Sequence, residues 1–445
     1  MIEREAPVTR ALVLHPALSD GLERADARLE EASGLAEALD MELGDAAIIP
    51  LRKIDPGRYF GRGKLDTLKT EIAENKIDVV IVDSALTPVQ QRNLENAWKV
   101  KVIDRTGLIL EIFGQRARTK EGVLQVELAR LAYERSRLVR TWTHLERQRG
   151  GRGFLAGPGE TQIETDRRLL DQKMAKLRRQ LDEVRRTRSL HRKQRHDVPY
   201  PVVALVGYTN AGKSTLFNEL TGADVLARDM PFATLDPTVR SVKLPKGTQI
   251  LLSDTVGFIT DLPTELIAAF RATLEEVQQA DLLIHVIDAS DPDYEGRIGD
   301  VMGVLKAIEA GPSADQPMIE AWNKADCLNA DDFEDVELEC MLANRKQERI
   351  AKLPISAVNG LNLDTLMAAV EDQLAARGEV MQLSLPPQEG RALAWLHENG
   401  EFLSEDLHPE TGTVNASIRL SQVDAGRFRA QFPHLAVPLP EADPY

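Results

Sequence analysis

Residues 207–214, with the sequence GYTNAGKS, fit the pattern GxxxxGKS/T of a phosphate-binding loop. They follow the apolar run PVVALV, which is typical of a buried strand, and precede the helical pattern STLFNEL. In that setting the backbone amides surround a β-phosphate, the Lys213 ammonium reaches the β- and γ-phosphates, and the Ser214 hydroxyl coordinates Mg²⁺. We therefore expect eight nucleotide-binding residues, with Lys213 also catalytic and Ser214 also a metal ligand: Gly207, Tyr208, Thr209, Asn210, Ala211, Gly212, Lys213 and Ser214.

Two polar stretches further along could complete a site for a nucleoside triphosphate and its metal. The run DTVG closes the predicted strand QILLSDT, where the Asp254 carboxylate could hold Mg²⁺ through water and the Gly257 amide could meet a γ-phosphate. Between the two motifs, FATLDPT interrupts the apolar pattern and could fold over the metal, with Thr234 as a second ligand. The alternative for this stretch is an ordinary surface loop.

The run NKAD, at the end of the predicted strand MIEAWNK, indicates which base is bound. Asp326 would accept hydrogen bonds from the ring N–H and the amino group of guanine, whereas adenine has an acceptor at the matching ring position and leaves the carboxylate unpaired. Asn323 and Lys324 would brace this loop, and Ser356 with the amide of Ala357 would meet the base edge. The motifs occur in this order, each at a strand end, and predict a guanine-nucleotide site.

The alternation of apolar and amphipathic segments divides most of the chain into α/β domains. In residues 1–115 short apolar runs alternate with helical patterns, which predicts a small α/β domain with a largely parallel sheet. There, Gly61 and Gly63 precede a helix and could hold an anion on free amides or form a plain tight turn. Residues 198–377 predict a doubly wound, mostly parallel α/β domain, and residues 378–445 a small α/β appendage of βαβ type.

Residues 116–197 predict an antiparallel hairpin of two helices. Apolar residues recur in both helices at four-and-three spacing: Leu124, Leu128, Leu131, Leu138, Leu170, Met174, Leu177, Leu181 and Val184. Two such seams would bury each other. The connection between the helices is rich in Gly, Arg and Pro, and its Trp142 and Phe154 could stack on unpaired bases or anchor the loop.

The hairpin is a basic segment of an acidic chain. Between Arg116 and Arg195 there are 22 Lys and Arg against 10 Asp and Glu, whereas the net charge of the whole chain is -15. A cluster of cations on one element is typical of a surface that binds a nucleic-acid backbone. We expect these arginines to lie mostly on the outside of the hairpin: Arg167, Arg168, Arg178, Arg179, Arg185, Arg186 and Arg188.

Composition places limits on location and assembly. The two cysteines, Cys327 and Cys340, lack metal-ligand spacing and indicate a reducing compartment. The N-terminus lacks the features of a signal peptide, and the apolar runs are too short to span a bilayer. We therefore expect a cytoplasmic protein that does not insert into membranes. It is expected to be a monomer, because closing the hairpin leaves no exposed heptad seam.

Several stretches together resemble the HflX family of ribosome-associated GTPases: YFGRGKLDTLK, IDRTGLILEIFGQRARTKEGVLQVELARL, GPGETQIETDRRL, GYTNAGKSTLFN, FATLDPTVR and DTVGFI. The resemblance implies a P-loop GTPase domain preceded by a small α/β domain and a two-helix hairpin. It also implies that GTP and GDP are bound, and that the protein contacts the RNA and proteins of the large ribosomal subunit and helps to separate the subunits of stalled or idle ribosomes.

The resemblance also implies roles for individual residues. Mg²⁺ would lie on Ser214 and Thr234, and Lys213, Thr234 and Gly257 would be catalytic. Asn323, Lys324 and Asp326 would read guanine. Two nucleotide-responsive loops, the first and second switch, are implied at Phe232, Ala233, Thr234, Leu235 and Asp236, and at Asp254, Thr255, Val256 and Gly257.

Phe258 stands where Ras-like enzymes place the Gln that orients the attacking water. We therefore expect slow intrinsic hydrolysis that is raised by ribosomal RNA or protein, or by K⁺ held partly by Asn210, whose position resembles that in potassium-using relatives. Two alternative functions are a small-molecule phosphotransferase and a non-ribosomal signalling switch with a protein effector. The first would not need NKAD, and the second would not need the basic segment.

Overall fold

The computed structural model describes residues 9–18, 24–148, 158–195, 200–223, 231–232, 238–260, 271–345, 350–376, 378–408, 411–420 and 422–435. Within these ranges the chain forms three β-sheets, and a long helical hairpin separates the first from the second in sequence. None of the described helices is both long enough and apolar enough to span a bilayer.

The N-terminal part is a parallel sheet covered by helices. Its elements are β1 (Arg10–Leu18), α1 (Ala25–Glu37), β2 (Glu42–Leu51), α2 (Arg62–Glu74), β3 (Val79–Val82), α3 (Pro88–Trp98), β4 (Lys101–Asp104) and α4 (Arg105–Arg116). The strand order is β2-β1-β3-β4 with every pairing parallel, as predicted. Val13 and Ile81 lie in one hydrophobic cluster and Leu12 and Val80 in another, so both faces of the sheet are buried.

The hairpin consists of α5 (Lys120–Gln148) and α6 (Pro158–Arg195). Its seam confirms the predicted spacing, because the buried cluster contains Leu124, Leu131, Met174, Leu177 and Leu181. Arg135 Nε lies 2.7 Å from Asp171 Oδ1. These two residues are equally far in sequence from the connection, so the helices run antiparallel.

The second sheet carries the phosphate loop. Its elements are β5 (Val202–Gly207), α7 (Lys213–Thr221), β6 (Thr238–Lys243), β7 (Gln249–Asp254), α8 (Arg271–Gln278), β8 (Leu282–Asp288), α9 (Tyr294–Ala307), β9 (Met318–Asn323), α10 (Ala330–Arg345), β10 (Ala351–Pro354) and α11 (Leu363–Ala376). The order is β10-β9-β8-β5-β7-β6, and all pairings are parallel except that of β6 with β7. The doubly wound, mostly parallel domain is as predicted, and the antiparallel edge strand β6 is an addition.

The third sheet corrects the prediction of a βαβ appendage. It contains β11 (Glu379–Leu385), α12 (Gly390–Asn399), β12 (Gly400–Leu407), β13 (Val414–Leu420) and α13 (Gln422–Gln431). The strand β12 was not predicted, and it enters between the helix and the last strand. The order is therefore β11-β13-β12, with β13 antiparallel to both neighbours. Alternate residues of β11 and β13, such as Met381 and Ile418, face the helices.

The first and second sheets share one hydrophobic cluster. Residues of the N-terminal part such as Val13 and Phe113 belong to the same cluster as Val206 and Leu283 of the second sheet and Phe258, which follows β7. The two parts therefore pack against each other through a continuous apolar core. The domain limits at residues 115, 197 and 377 stay predictions.

Candidate functional site

The loop from β5 to α7 has a backbone that only glycine permits at two positions. Gly207 has φ +150°, and a Cβ there would lie 2.3 Å from the carbonyl oxygen of Val286. Gly212 has φ +88°, and a Cβ there would lie 2.2 Å from Nδ2 of Asn323. The two glycines let the loop pass close to the strands β8 and β9 before α7 begins. The amides at the start of α7 are thereby placed for an anion.

Lys213 and Ser214 begin α7 at the floor of this loop. Lys213 is buried, and its Nζ donates to the carbonyl oxygen of Tyr208 at 2.6 Å. Burial lowers the pKa of Lys213 to about 8, although the Asp254 carboxylate acts in the opposite direction. The Ser214 hydroxyl donates to Oδ2 of Asp254 at 2.8 Å. The structure therefore brings together the lysine, the hydroxyl and the carboxylate that the sequence proposed for phosphate and metal.

The segment after β7 runs beside the phosphate loop. Phe258 N–H donates to the carbonyl oxygen of Gly207 at 3.0 Å, and Thr209 N–H donates to the carbonyl oxygen of Phe258 at 2.8 Å. A Cβ on Gly257 would lie 3.0 Å from Lys213 Nζ, so this glycine allows the close approach. The Phe258 side chain is buried in the shared core. It therefore packs with apolar residues and cannot orient a water molecule.

Asn323 connects the phosphate loop to the predicted base-binding loops. Its Nδ2 donates to the carbonyl oxygen of Ala211 at 2.9 Å, and its Oδ1 accepts from the amide of Ala357 at 2.9 Å. Asp326 is exposed beyond it, while Ser356 is buried and accepts the Asn359 amide at 3.1 Å. The structure thus places three of the predicted motifs around one edge of the sheet.

The sequence analysis missed Asp288, the last residue of β8, which contacts the predicted base-reading loop. Lys324 Nζ lies 2.7 Å from Oδ2 of Asp288, the last residue of β8. This ion pair holds the lysine of NKAD against the neighbouring strand. Asp288 lies at the carboxyl end of a parallel strand, next to the strands that carry the other predicted site residues, and this position was the signal that could have identified it.

The first predicted switch falls largely outside the described residues. Ala233, Thr234, Leu235 and Asp236 are among the residues not described, so their predicted roles stay untested. Phe232 is described, and it is buried with its ring centroid 4.5 Å from that of Phe113 on α4. The start of this loop therefore packs on the N-terminal part.

The hairpin exposes many of its cations. The described side chains of α6 that are exposed include Arg167, Arg168, Lys173, Lys176, Arg178, Arg179 and Arg186. The prediction of outward arginines is confirmed for Arg167, Arg168, Arg178, Arg179 and Arg186. The side chains of Arg185, Arg188 and Trp142 lie outside the described residues, as does the connection that carries Phe154. Trp142 lies within α5 (Lys120–Gln148) and not, as was predicted, in the connection.

The strand order, the phosphate loop and the arrangement of Asn323, Lys324 and Asp326 define a P-loop GTPase. Three family models match the chain in order: "GTP-binding GTPase N-terminal" at residues 26–114, "GTP-binding GTPase Middle Region" at 116–195 and "50S ribosome-binding GTPase" at 202–324. The protein is accordingly a GTP-hydrolysing enzyme.

The chain is similar along most of its length to curated GTPases. It is 48% identical over 403 residues to GTPase HflX of Magnetococcus marinus, which covers 91% of this chain and 90% of that protein. It is 42% identical over 438 residues to GTPase HflX of Escherichia coli, covering 98% and 99%. A solved GTP-binding protein of Sulfolobus solfataricus in complex with GDP matches with 25% identity and a TM-score of 0.44, over 82% of this chain and 98% of that one. The chain belongs to the HflX family, as its motifs predicted.

Proposed function

We propose that this GTPase binds the large ribosomal subunit through its basic hairpin and uses GTP binding and hydrolysis to separate the subunits of stalled or idle ribosomes. The observation that carries this proposal is the exposed row of cations along α6 in a chain whose net charge is -15. Clustered Lys and Arg side chains neutralise phosphates and release counterions, which favours RNA. The description of the family model matched by residues 202–324, a 50S ribosome-binding GTPase, supports the same partner.

The site also suits the Mg²⁺ that accompanies GTP. Ser214 Oγ and the Asp254 carboxylate meet at 2.8 Å, and both are hard oxygen donors of the kind that Mg²⁺ prefers. Ser214 would hold the ion directly, Asp254 would hold it through water, and Thr234 is the proposed second ligand. When bound, Mg²⁺ supplies charge neutralisation between the β- and γ-phosphates.

Hydrolysis then acts as a timer for the bound state. With GTP present, the γ-phosphate would be bound by Lys213 and by the amide of Gly257, which already lies against the phosphate loop. Loss of the γ-phosphate would release the segment that follows Gly257. Because Phe258 is buried, no side chain at that position assists the water, so timing depends on the ribosome or on K⁺ near Asn210.

The proposal is tested by sedimentation and light scattering with purified ribosomes. The protein should co-sediment with the large subunit in the presence of a non-hydrolysable GTP analogue and be released with GDP. Mixing it with whole ribosomes and GTP should lower the scattered light as subunits separate. If it sediments with ribosomes in neither nucleotide state, the protein is instead a signalling switch with a protein effector.

A further inference from the structure

We propose that two adjacent residues of the N-terminal part, Asp104 and Arg105, connect the basic hairpin to the nucleotide site. Asp104 would fix helix α5, and Arg105 would position Tyr208 of the phosphate loop and Thr260 of the segment after Gly257. The hairpin and the nucleotide would then sense each other through a continuous set of buried polar contacts. This proposal goes beyond GTP hydrolysis and does not depend on which partner the hairpin binds.

Asp104 holds the hairpin from one side of the joint. It is 2% exposed and caps α4, with Oδ1 accepting the Gly107 amide at 2.8 Å. Tyr133 and Arg137, one turn apart on α5, both donate to the same carboxylate. Arg137 also lies over the Tyr133 ring, with its guanidinium carbon 4.2 Å from the ring centroid. A buried carboxylate with these partners fixes the position of α5 relative to β4.

Arg105 faces the GTPase domain from the other side of the joint. Its guanidinium donates to the carbonyl oxygen of Thr260 at 3.0 Å and 3.2 Å and to Oε1 of Glu31 at 3.0 Å. It also donates to Asp83, which His15 contacts at 2.8 Å. Burial by itself would lower the pKa of Arg105, but the two carboxylates more than offset this and leave it raised. The guanidinium therefore stays charged and holds Thr260 through its backbone.

Tyr208 completes the connection to the phosphate loop. Its hydroxyl donates to Oε1 of Glu31 at 2.6 Å and accepts the Thr260 amide at 2.9 Å. Burial, reinforced by Glu31, raises the pKa of Tyr208, so this hydroxyl keeps its proton. Thr260 is thus held through its carbonyl by Arg105 and through its amide by the phosphate loop. It lies only three residues after Gly257, the residue expected to move with the γ-phosphate.

The contacts have a direct mechanical consequence. A shift of the segment after Gly257 changes the distance from the Thr260 carbonyl to the Arg105 guanidinium. The hydrogen bonds of this guanidinium and its ion pairs with Glu31 and Asp83 are buried, and they resist gradual stretching. The shift is passed to Asp104 through the peptide bond between the two residues, and from there to α5. By thermodynamic reciprocity, a ligand that moves the hairpin must alter the preference of the site between GTP and GDP.

The test compares affinities for a fluorescent GTP analogue and fluorescent GDP in the full-length protein. Arg137→Gln removes a contact between α5 and Asp104, at a residue remote from the nucleotide. It should change the ratio of the affinity for the GTP analogue to the affinity for GDP by at least about threefold. Arg137→Lys, which keeps the charge, should restore most of the ratio. Arg130→Gln is the matched control, because Arg130 lies on the same helix in an exposed ion pair with Glu111. It should leave the ratio unchanged.

Hydrogen exchange supplies the second measurement. In the wild-type protein, replacing GDP by the GTP analogue should alter amide exchange within residues 120–138, and this difference should be lost in Arg137→Gln and in Tyr208→Phe. Tyr208→Phe removes one hydroxyl and avoids the unpaired carboxylates that a change at Arg105 would leave. Affinity ratios within twofold of wild type in a folded Arg137→Gln protein, or an equal change in Arg130→Gln, would overturn the proposal.

Discussion

Asp326 is the residue on which base selection is proposed to depend, and it is exposed beside the loop held by Asn323. The Asp326→Asn variant should lose affinity for GTP by about two orders of magnitude or more, because an amide cannot accept from both the ring N–H and the amino group of guanine. Xanthine carries a carbonyl in place of the amino group, so XTP should bind instead. Competition against fluorescent GDP measures both effects. Asp331→Asn, an exposed carboxylate nearby, is the control, and a similar loss there would remove Asp326 from base selection.

Lys213 makes nucleotide binding depend on pH. Burial lowers its pKa to about 8 in the free protein, and phosphate oxygens favour the charged ammonium, so binding raises this pKa. Near pH 8 Lys213 is therefore partly neutral in the free protein, and binding should take up protons; above this pH the affinity should fall by up to about tenfold per pH unit. Calorimetry in two buffers of different ionisation enthalpy measures the uptake. Lys213→Arg, which stays charged, should show none; no uptake by the wild-type protein would refute the effect.

Asn210 could support the backbone of the phosphate loop alone or also hold K⁺, and exchanging the salt for the wild-type protein and for one variant distinguishes these two roles. Its φ of +62° is tolerated by Asn better than by most residues, so it could serve the backbone alone. If its side chain also holds K⁺, replacing K⁺ by Na⁺ should slow GTP turnover, and Asn210→Gly should be slow in both salts because glycine keeps the backbone but removes the oxygen. Equal turnover of the wild-type protein in K⁺ and Na⁺ would leave only the structural role.

At the scale of elements, the exposed cations of α6 are expected to bind RNA phosphates. Replacing Arg178 and Arg179 by Ala should barely affect stability, because both are exposed, but should weaken binding to the large subunit and reduce the slope of log K against log salt by about 2. Sedimentation across a series of salt concentrations measures both. Replacing the exposed Lys306 and Arg391 removes the same charge elsewhere and should have little effect. Equal losses in both double variants would show that net charge alone matters.

Elements with strong local patterns were predictable. The seams of α5 and α6 repeat leucine-type residues at helical spacing, and the structure buries them as expected. The edge strand β6 and the strand β12 were missed, because their sequences TVRSVK and GEFLSEDL have few apolar residues and depend on a partner strand. Missing β12 also reversed the expected direction of β13.

At the scale of the whole molecule, the chemistry of the phosphate loop could be predicted because its residues are adjacent in sequence. The contacts that join the domains could not be predicted from the sequence. Tyr208 and Glu31 are separated by 177 residues, and Arg105 and Thr260 by 155, so only the packing of the first sheet on the second brings them together. A Tyr within a phosphate loop carries no local signal of a partner so far away.

We propose that the large ribosomal subunit completes what Phe258 leaves out of the catalytic site. The most direct measurement is GTP turnover by the full-length protein with and without purified large subunits. Basal hydrolysis should be slow, on the order of 10⁻⁴ to 10⁻² per second, and should rise strongly when large subunits are added. Equal rates with and without subunits would contradict it.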